Sequence, residues 1–117
     1  VLLFCFITLL IRNIKMTNKD KEKLYKKYGY DKDKIPFPQM MIGKEDEVAT
    51  NPYTEVEVTL NPVEIAIYDC LMGSYHAHLL AGDTGNMETA KSLYNDYYKG
   101  KDWFIENNVG AYFKLID

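Results

Sequence analysis

Residues 61–82 read NPVEIAIYDCLMGSYHAHLLAG, and this stretch decides the fold because it predicts a long helix with a clearly marked start. Asn61 is a favourable N-cap, and Pro62 suits the first helical position, where no backbone donor is needed. Glu64 can accept a hydrogen bond from the backbone of the cap residue. The helical pattern continues to Ala81, and the glycine that follows is the expected end.

The predicted helix is apolar over a wide surface. One stripe comprises Ile67, Leu71, Ser74 and His78, flanked by Val63 and Cys70, and a second comprises Ile65, Tyr68, Met72, Tyr75 and Leu79. An apolar surface of this width predicts a central helix that is covered on more than one side.

A turn and a second helix follow. We expect Asp83 or Thr84 to cap this next helix, because short polar side chains favour turns and helix starts. Apolar residues recur at helical spacing from Met87 to Tyr97, and Gly100 is expected to interrupt the helix. The two helices therefore predict a helical hairpin.

The segments around this hairpin are shorter. Two further short helices are predicted over residues 101–107 and 111–116. Residues 55–60, EVEVTL, alternate polar and apolar side chains, which is typical of a strand with one buried face. This single strand has no evident partner, so it pairs with the irregular arm, with a neighbouring copy, or not at all.

The N-terminal third is basic and irregular. A short helix is predicted over residues 17–28, with Thr17 as a possible cap and Gly29 after its end. Residues 31–54 contain three of the four prolines and show neither the helical nor the strand period of apolar residues, which indicates an irregular arm. Its apolar segment IPFPQMMI, residues 35–42, is expected to pack on this chain or on another.

These elements define the predicted fold class, which is mainly α. We expect a small helical bundle built on the hairpin of residues 62–81 and 87–99, with one short β-strand and an irregular N-terminal arm. The chain has 117 residues, the size of one ordinary domain. We divide it into an apolar extension (1–15), a basic helix with the arm (16–54) and a helical domain (55–117).

The apolar opening VLLFCFITLLI is too short to cross a bilayer as a helix, which takes about 20 residues. It lacks the basic start and small-residue cleavage site of a signal peptide. We interpret residues 1–15 as an extension upstream of a functional start near Met16. The alternative is a truncated membrane anchor whose basic flank lies on the cytoplasmic side.

Charge is distributed unevenly along the chain. Residues 12–34 carry nine basic against four acidic side chains, a net charge of +5, whereas residues 35–117 carry five lysines against thirteen acids, a net charge of −8. A basic arm can bind nucleic acid or anionic lipid, or it can pack on the acidic body of its own or a neighbouring copy.

Candidate catalytic and metal-binding residues are few. His76 and His78 lie about 200° apart on a helix and cannot share one metal ion by themselves. Cys70 has no base at a workable spacing, and neither Cys5 nor Cys70 belongs to a disulfide or zinc pattern. We therefore predict no catalytic residue, no metal and no cofactor, and a reducing, cytoplasmic location.

Aromatic residues cluster beside lysines near the C-terminus. The cluster comprises Tyr94, Tyr97, Tyr98 and Trp103, next to Lys99 and Lys101. Such faces can stack on single-stranded bases, but they are also common in cores and protein interfaces.

Residues 51–117 resemble a known group of proteins. The order of VEVTL, NPVEIAIYDCLMG and a closing DWFIENNVGAYFKLID is similar to that of small uncharacterised proteins encoded by tailed bacteriophages of marine bacteria. Tyr68-Asp69 and the final Leu115-Ile116-Asp117 belong to the shared pattern. The resemblance implies expression in an infected bacterial cytoplasm and assigns no mechanism.

The sequence therefore predicts a non-enzymatic interaction or structural accessory protein that acts as a homo-oligomer. Its expected interface combines the arm and the strand, and comprises Ile35, Phe37, Met40, Met41, Ile42, Val56 and Val58. Packing of these residues on a second copy would strengthen the interaction hypothesis, and internal packing would remove much of its support. The alternative is a nucleic-acid-binding accessory protein that uses the basic arm 15–34, with Lys19, Lys21, Lys23, Lys26 and Lys27 as contacts.

Overall fold

A computed structural model describes residues 16–117, and within that range the chain forms four α-helices, one 3₁₀ turn and two short strands. The helices are α1 (Asn18–Tyr28), α2 (Pro62–Asp83), α3 (Met87–Asn107) and α4 (Val109–Leu115). The strands are β1 (Glu47–Thr50) and β2 (Glu57–Leu60), and the 3₁₀ turn is Lys32–Lys34. The mainly helical fold class is confirmed, whereas the predicted extension over residues 1–15 lies outside the described residues.

Local hydrogen bonds define the starts of the first two helices. The Thr17 hydroxyl accepts a hydrogen bond from the Asp20 backbone N–H (3.1 Å), and α1 ends at Gly29 with a φ of 76°. Asn61 Oδ1 accepts from the Glu64 backbone N–H (2.8 Å), while Glu64 Oε1 accepts from the Asn61 N–H (3.0 Å). These reciprocal bonds satisfy donors that a helix start leaves free. Both predicted helix starts are confirmed.

Helices α2 and α3 form the predicted hairpin, with a different cap at their junction. Asn86, and not Asp83 or Thr84, caps α3, because its side-chain oxygen accepts from the Thr89 N–H (3.2 Å). Thr84 instead ends α2 and donates its hydroxyl hydrogen to the Ala81 carbonyl (3.0 Å).

The predicted helix break at Gly100 is wrong. Helix α3 continues through this position to Asn107, and the expected short helix over 101–107 is its last part. Gly100 is buried where α3 meets Leu71 of α2 and Phe37 of the arm. The glycine thus allows a close approach of the two helices, and the loss of helix propensity, about 1 kcal/mol relative to alanine, is outweighed by packing.

The predicted strand pairs with the arm. Strand β2 forms an antiparallel sheet with β1, and the register places Val48 opposite Thr59 and Ala49 opposite Val58. Residues 47–50 were expected to be irregular, because a four-residue strand carries too little alternation to be recognised from sequence. Of the three alternatives for the strand, pairing with the arm is the one observed.

A single hydrophobic core draws on every part of the described chain. The arm contributes Ile35, Met40 and Ile42, which are buried together with Leu71 of α2 and Phe104 of α3. Its other buried members are Tyr25, Ala49, Leu60, Val63, Ile65, Ala66, Ile67, Tyr68, Trp103, Ala111 and Leu115. The predicted boundary at residue 54 therefore lies between two segments that share one hydrophobic core.

Candidate functional site

The arm residues that were assigned to an interface lie mainly inside this chain's own core. Ile42 is fully buried, and Ile35 and Met40 expose 6% and 4% of their surface. The half-buried members of this set are Phe37, Met41 and Val58, and Val56 is its one exposed member. Intramolecular burial accounts for the apolar character of the arm, so these side chains give no reason to place a partner there.

A network of polar side chains holds the arm and α4 against the start of α2. Asn61 Nδ2 donates to the Tyr30 hydroxyl (2.8 Å), and Tyr30 packs edge-on against Trp103 with ring centroids 4.9 Å apart. Glu64 Oε2 accepts from Asn108 Nδ2 (2.5 Å). Asn108 was not predicted as a cap, although asparagine is a favourable N-cap residue, and its Oδ1 accepts a hydrogen bond from the Ala111 N–H (3.2 Å).

The lysines of α1 divide into two groups. Lys21 is half-buried, and its ammonium group donates to the Pro38 carbonyl (3.1 Å), so it fastens the arm to α1. The exposed group comprises Lys19, Lys23, Lys26 and Lys27. Because each helical residue turns by about 100°, these four lie within one stripe on the side opposite Lys21. Only this stripe is free to meet a ligand.

Aromatic side chains line the junction of α2 and α3 beyond the core. His78 stacks on Tyr94 with ring centroids 4.7 Å apart, and Tyr75 lies 5.2 Å from Tyr97. The Tyr94 and Tyr98 hydroxyls are 3.2 Å apart, with their rings perpendicular. The helical hairpin thus brings together the predicted tyrosine cluster and residues of α2, whereas Trp103 lies apart from it in the core.

Lys101 completes this aromatic group at its C-terminal end. Its ammonium nitrogen lies 5.3 Å from the Tyr98 ring centroid and 5.7 Å from that of Tyr112. Partial burial alone would lower the pKa of Lys101, but attraction to Tyr112 and a hydrogen bond with it outweigh this effect, and the pKa is raised. Lys101 therefore carries its charge at neutral pH and is already in contact with aromatic rings.

Large apolar side chains are also exposed on the part of the hairpin that extends beyond the core. We define the distal surface as Leu79, Leu80, Met87, Tyr94 and Tyr98, all of which are exposed. The first half of α2 is largely buried as far as Leu71, where α3, the two strands and the arm cover it. The prediction that α2 is covered on more than one side holds there, whereas Leu79, which was assigned to an apolar stripe, is exposed towards the tip of the hairpin.

Both histidines pack against aromatic rings near the junction of α2 and α3. His78 Nδ1 lies 2.8 Å from the Ala90 carbonyl oxygen, and its ring lies against Tyr94 and Tyr75, so His78 connects the two helices. His76 contacts the edge of Tyr75. Among residues 16–117 there is no group of three or more metal-binding side chains.

No protein-family model matches the chain, and no curated protein or solved structure resembles it significantly. Within the described range, no helix combines the length and apolar character needed to cross a membrane.

Proposed function

We propose that this chain is a non-enzymatic interaction protein that self-associates through its distal surface. The observation that supports this proposal is that Leu79, Leu80 and Met87 expose 46%, 53% and 68% of their surface, on a hairpin that also exposes Tyr94 and Tyr98. Exposed patches of large apolar side chains indicate sites of interaction, and tyrosine is enriched at the centres of protein interfaces.

A second copy is the partner that the local charge favours. Residues 72–99 contain three acidic side chains and two lysines, a net charge of −1, whereas residues 35–117 together have −8. Two copies that meet at this part of the hairpin therefore bring little like charge together. Two antiparallel helix pairs can also pack as a four-helix bundle, in which apolar side chains from all four helices share one core.

Solution mass tests this proposal. At high salt (about 0.5 M), where exposed ion pairs are screened, the unaltered chain is expected to form dimers whose population rises with concentration. Under the same conditions Leu80→Glu is expected to shift the mass to that of a monomer without changing the helical circular dichroism. Phe113→Glu is the matched control, because Phe113 is equally exposed but lies on α4, outside the distal surface. A monomeric mass for the unaltered chain at high concentration would overturn the proposal.

The lysine stripe of α1 supports nucleic-acid binding as the second candidate function. The observation that favours this function is the exposure of four lysines on one side of a helix, namely Lys19, Lys23, Lys26 and Lys27. Binding of a single-stranded oligonucleotide should weaken steeply with salt, since each phosphate contact releases counterions. Lys21→Gln should leave that affinity unchanged because Lys21 faces the arm, whereas glutamine at the four exposed positions should abolish it.

We further propose that the chain is a bacteriophage accessory protein that acts in the host cytoplasm, because residues 51–117 resemble such proteins in sequence. Detection of the intact protein in purified virions or in infected cells would test it.

A further inference from the structure

The outer face of the small sheet is exposed and unpartnered within the described chain. Val48 and Thr50 of β1 lie opposite Thr59 and Glu57 of β2, and all four are exposed. The residues that alternate with them face the core, where Ala49 and Leu60 are buried. Val48 exposes 57% of its surface, and Tyr53, in the loop that joins the strands, exposes 82%.

This face is surrounded by negative charge. Residues 44–57 carry five acidic side chains against one lysine, a net charge of −4, and all six charged side chains are exposed. Helix α1 has the opposite character, because residues 17–28 carry five lysines against two acids, a net charge of +3. Its four exposed lysines form the single stripe described above.

The salt bridges between described residues do not join the lysine stripe to the acidic residues around the sheet. They join Lys32 to Glu22 (3.6 Å), Lys34 to Glu106 (3.4 Å) and Lys99 to Asp96 (3.7 Å). Neither the four exposed lysines of α1 nor the carboxylates of Glu45, Asp46, Glu55 and Glu57 take part in these bridges, so these groups are available to a second copy.

We propose that the lysine stripe of α1 docks on the outer face of the β1–β2 sheet of a second copy. This docking rests on the proposed self-association in one respect, which is that both name a second copy as the partner. The two contacts use different surfaces. The aliphatic stems of the lysines would lie on Val48 and Tyr53 while their ammonium groups reach the surrounding carboxylates. Exposed ion pairs are individually weak, so the contact is expected to be transient and sensitive to salt.

The contact joins different elements of the two copies, α1 of one and the sheet of the other, so it can be reciprocal within a two-fold dimer or continue as a chain. It depends on charge, whereas the contact through the distal surfaces depends on apolar side chains. The two contacts can therefore be separated by experiment.

A charge-swap experiment in the Leu80→Glu background tests the docking. One variant carries glutamate at the exposed α1 positions Lys19, Lys23, Lys26 and Lys27, and the other carries lysine at the sheet positions Glu45, Asp46, Glu55 and Glu57. Each variant alone is expected to lose the salt-sensitive association seen by sedimentation velocity, and an equimolar mixture is expected to regain it. In the Leu80→Glu parent, raising salt from about 50 mM to about 500 mM should weaken association about tenfold.

The outcomes separate this inference from the proposed function. Lys21→Gln is the control substitution, because Lys21 faces the arm and should leave association unchanged. A circular dichroism spectrum of each charge variant establishes that it is folded. Salt-insensitive association, retention of association by both variants, or failure of the mixture to regain it would overturn the docking. Loss of the salt-insensitive dimer in Leu80→Glu with intact charge-dependent association would support both proposals.

Discussion

Gly100 of α3 lies against Leu71 of α2 so closely that a Cβ atom at position 100 would stand 2.7 Å from the Leu71 Cβ. The same point is 3.1 Å from Phe37 Cε2 of the arm. Two helices and the arm therefore meet at a position where only hydrogen fits. Phe37 of the arm therefore packs where Gly100 faces Leu71.

Substitution of Gly100 should destabilise the fold. We expect Gly100→Ala to lower the free energy of unfolding by about 1–3 kcal/mol, because the added methyl group forces Leu71 or Phe37 to move. Gly82→Ala is the matched control in α2, where nothing lies within 4 Å, and alanine there should be neutral or stabilise by up to ~1 kcal/mol. Urea unfolding followed by Trp103 fluorescence measures both. Equal effects of the two substitutions would contradict the close contact.

Two buried tyrosines should respond oppositely to loss of their hydroxyl groups. The Tyr25 hydroxyl is buried with no hydrogen-bond partner among residues 16–117, so Tyr25→Phe should stabilise the protein by about 1 kcal/mol. Tyr30→Phe removes the acceptor of the Asn61 amide and should destabilise it by about 1 kcal/mol. Thermal unfolding of both variants is the measurement, and a loss of stability in Tyr25→Phe would show that its hydroxyl is satisfied in solution.

Asn51 should be essential for attaching the β-hairpin to α4. Its side-chain oxygen accepts from the N–H groups of Tyr53 (2.8 Å) and Thr54 (3.2 Å), and its Nδ2 donates to the Lys114 carbonyl (2.9 Å). Asn51→Asp retains the two accepted bonds and loses the donor, whereas Asn51→Ala loses all three. We expect the alanine variant to lose about 2 kcal/mol. The aspartate variant keeps the loop bonds but brings a buried carboxylate oxygen against the Lys114 carbonyl, so it is expected to lose at least as much. Hydrogen exchange at Tyr53 and Thr54 separates the two contributions, since only alanine should raise it strongly.

Stability should fall at alkaline pH. Burial raises the pKa of Tyr25 and Tyr68, and burial likewise raises that of Tyr30 although its hydrogen bond with Asn61 opposes the change. In the unfolded chain these phenols ionise near their ordinary pKa of about 10, so the unfolded state loses protons first. Their contribution is complete below about pH 10 and is lost as the pH rises through the folded-state values. Urea midpoints between pH 8 and the alkaline limit, compared with tyrosinate absorbance, measure this; an unchanged midpoint above pH 10 would contradict it.

The helix starts and the hairpin could be predicted because their signals are local. The Asn61 cap, Pro62 at the first helical position and the Glu64 side chain all act within one turn of helix. The Thr17 cap and the glycine after α1 act over the same short range. The two apolar periods separated by a polar turn likewise require no knowledge of distant residues, and they predicted α2 and α3 as neighbours.

The candidate surfaces could be predicted only in part. The basic character of residues 12–34 and the tyrosine cluster are visible in the sequence, but the division of the lysines into a fastened Lys21 and an exposed stripe depends on where Pro38 lies. The exposure of Leu79 and Leu80 also depends on how far β1, β2 and the arm reach along α2. An apolar side chain looks the same in a sequence whether a neighbour covers it or not.

By itself, the sequence determined where helices begin, the mainly helical class and the opposed charges of the N-terminal arm and the body. Only the tertiary structure decided that Gly100 continues a helix, that the strand pairs with residues 47–50, and that Ile35 and Ile42 enter this chain's own core. The physical reason is one of range. Caps and helical periods result from interactions within a few residues, whereas close packing, strand pairing and burial depend on which distant segments occupy the same space.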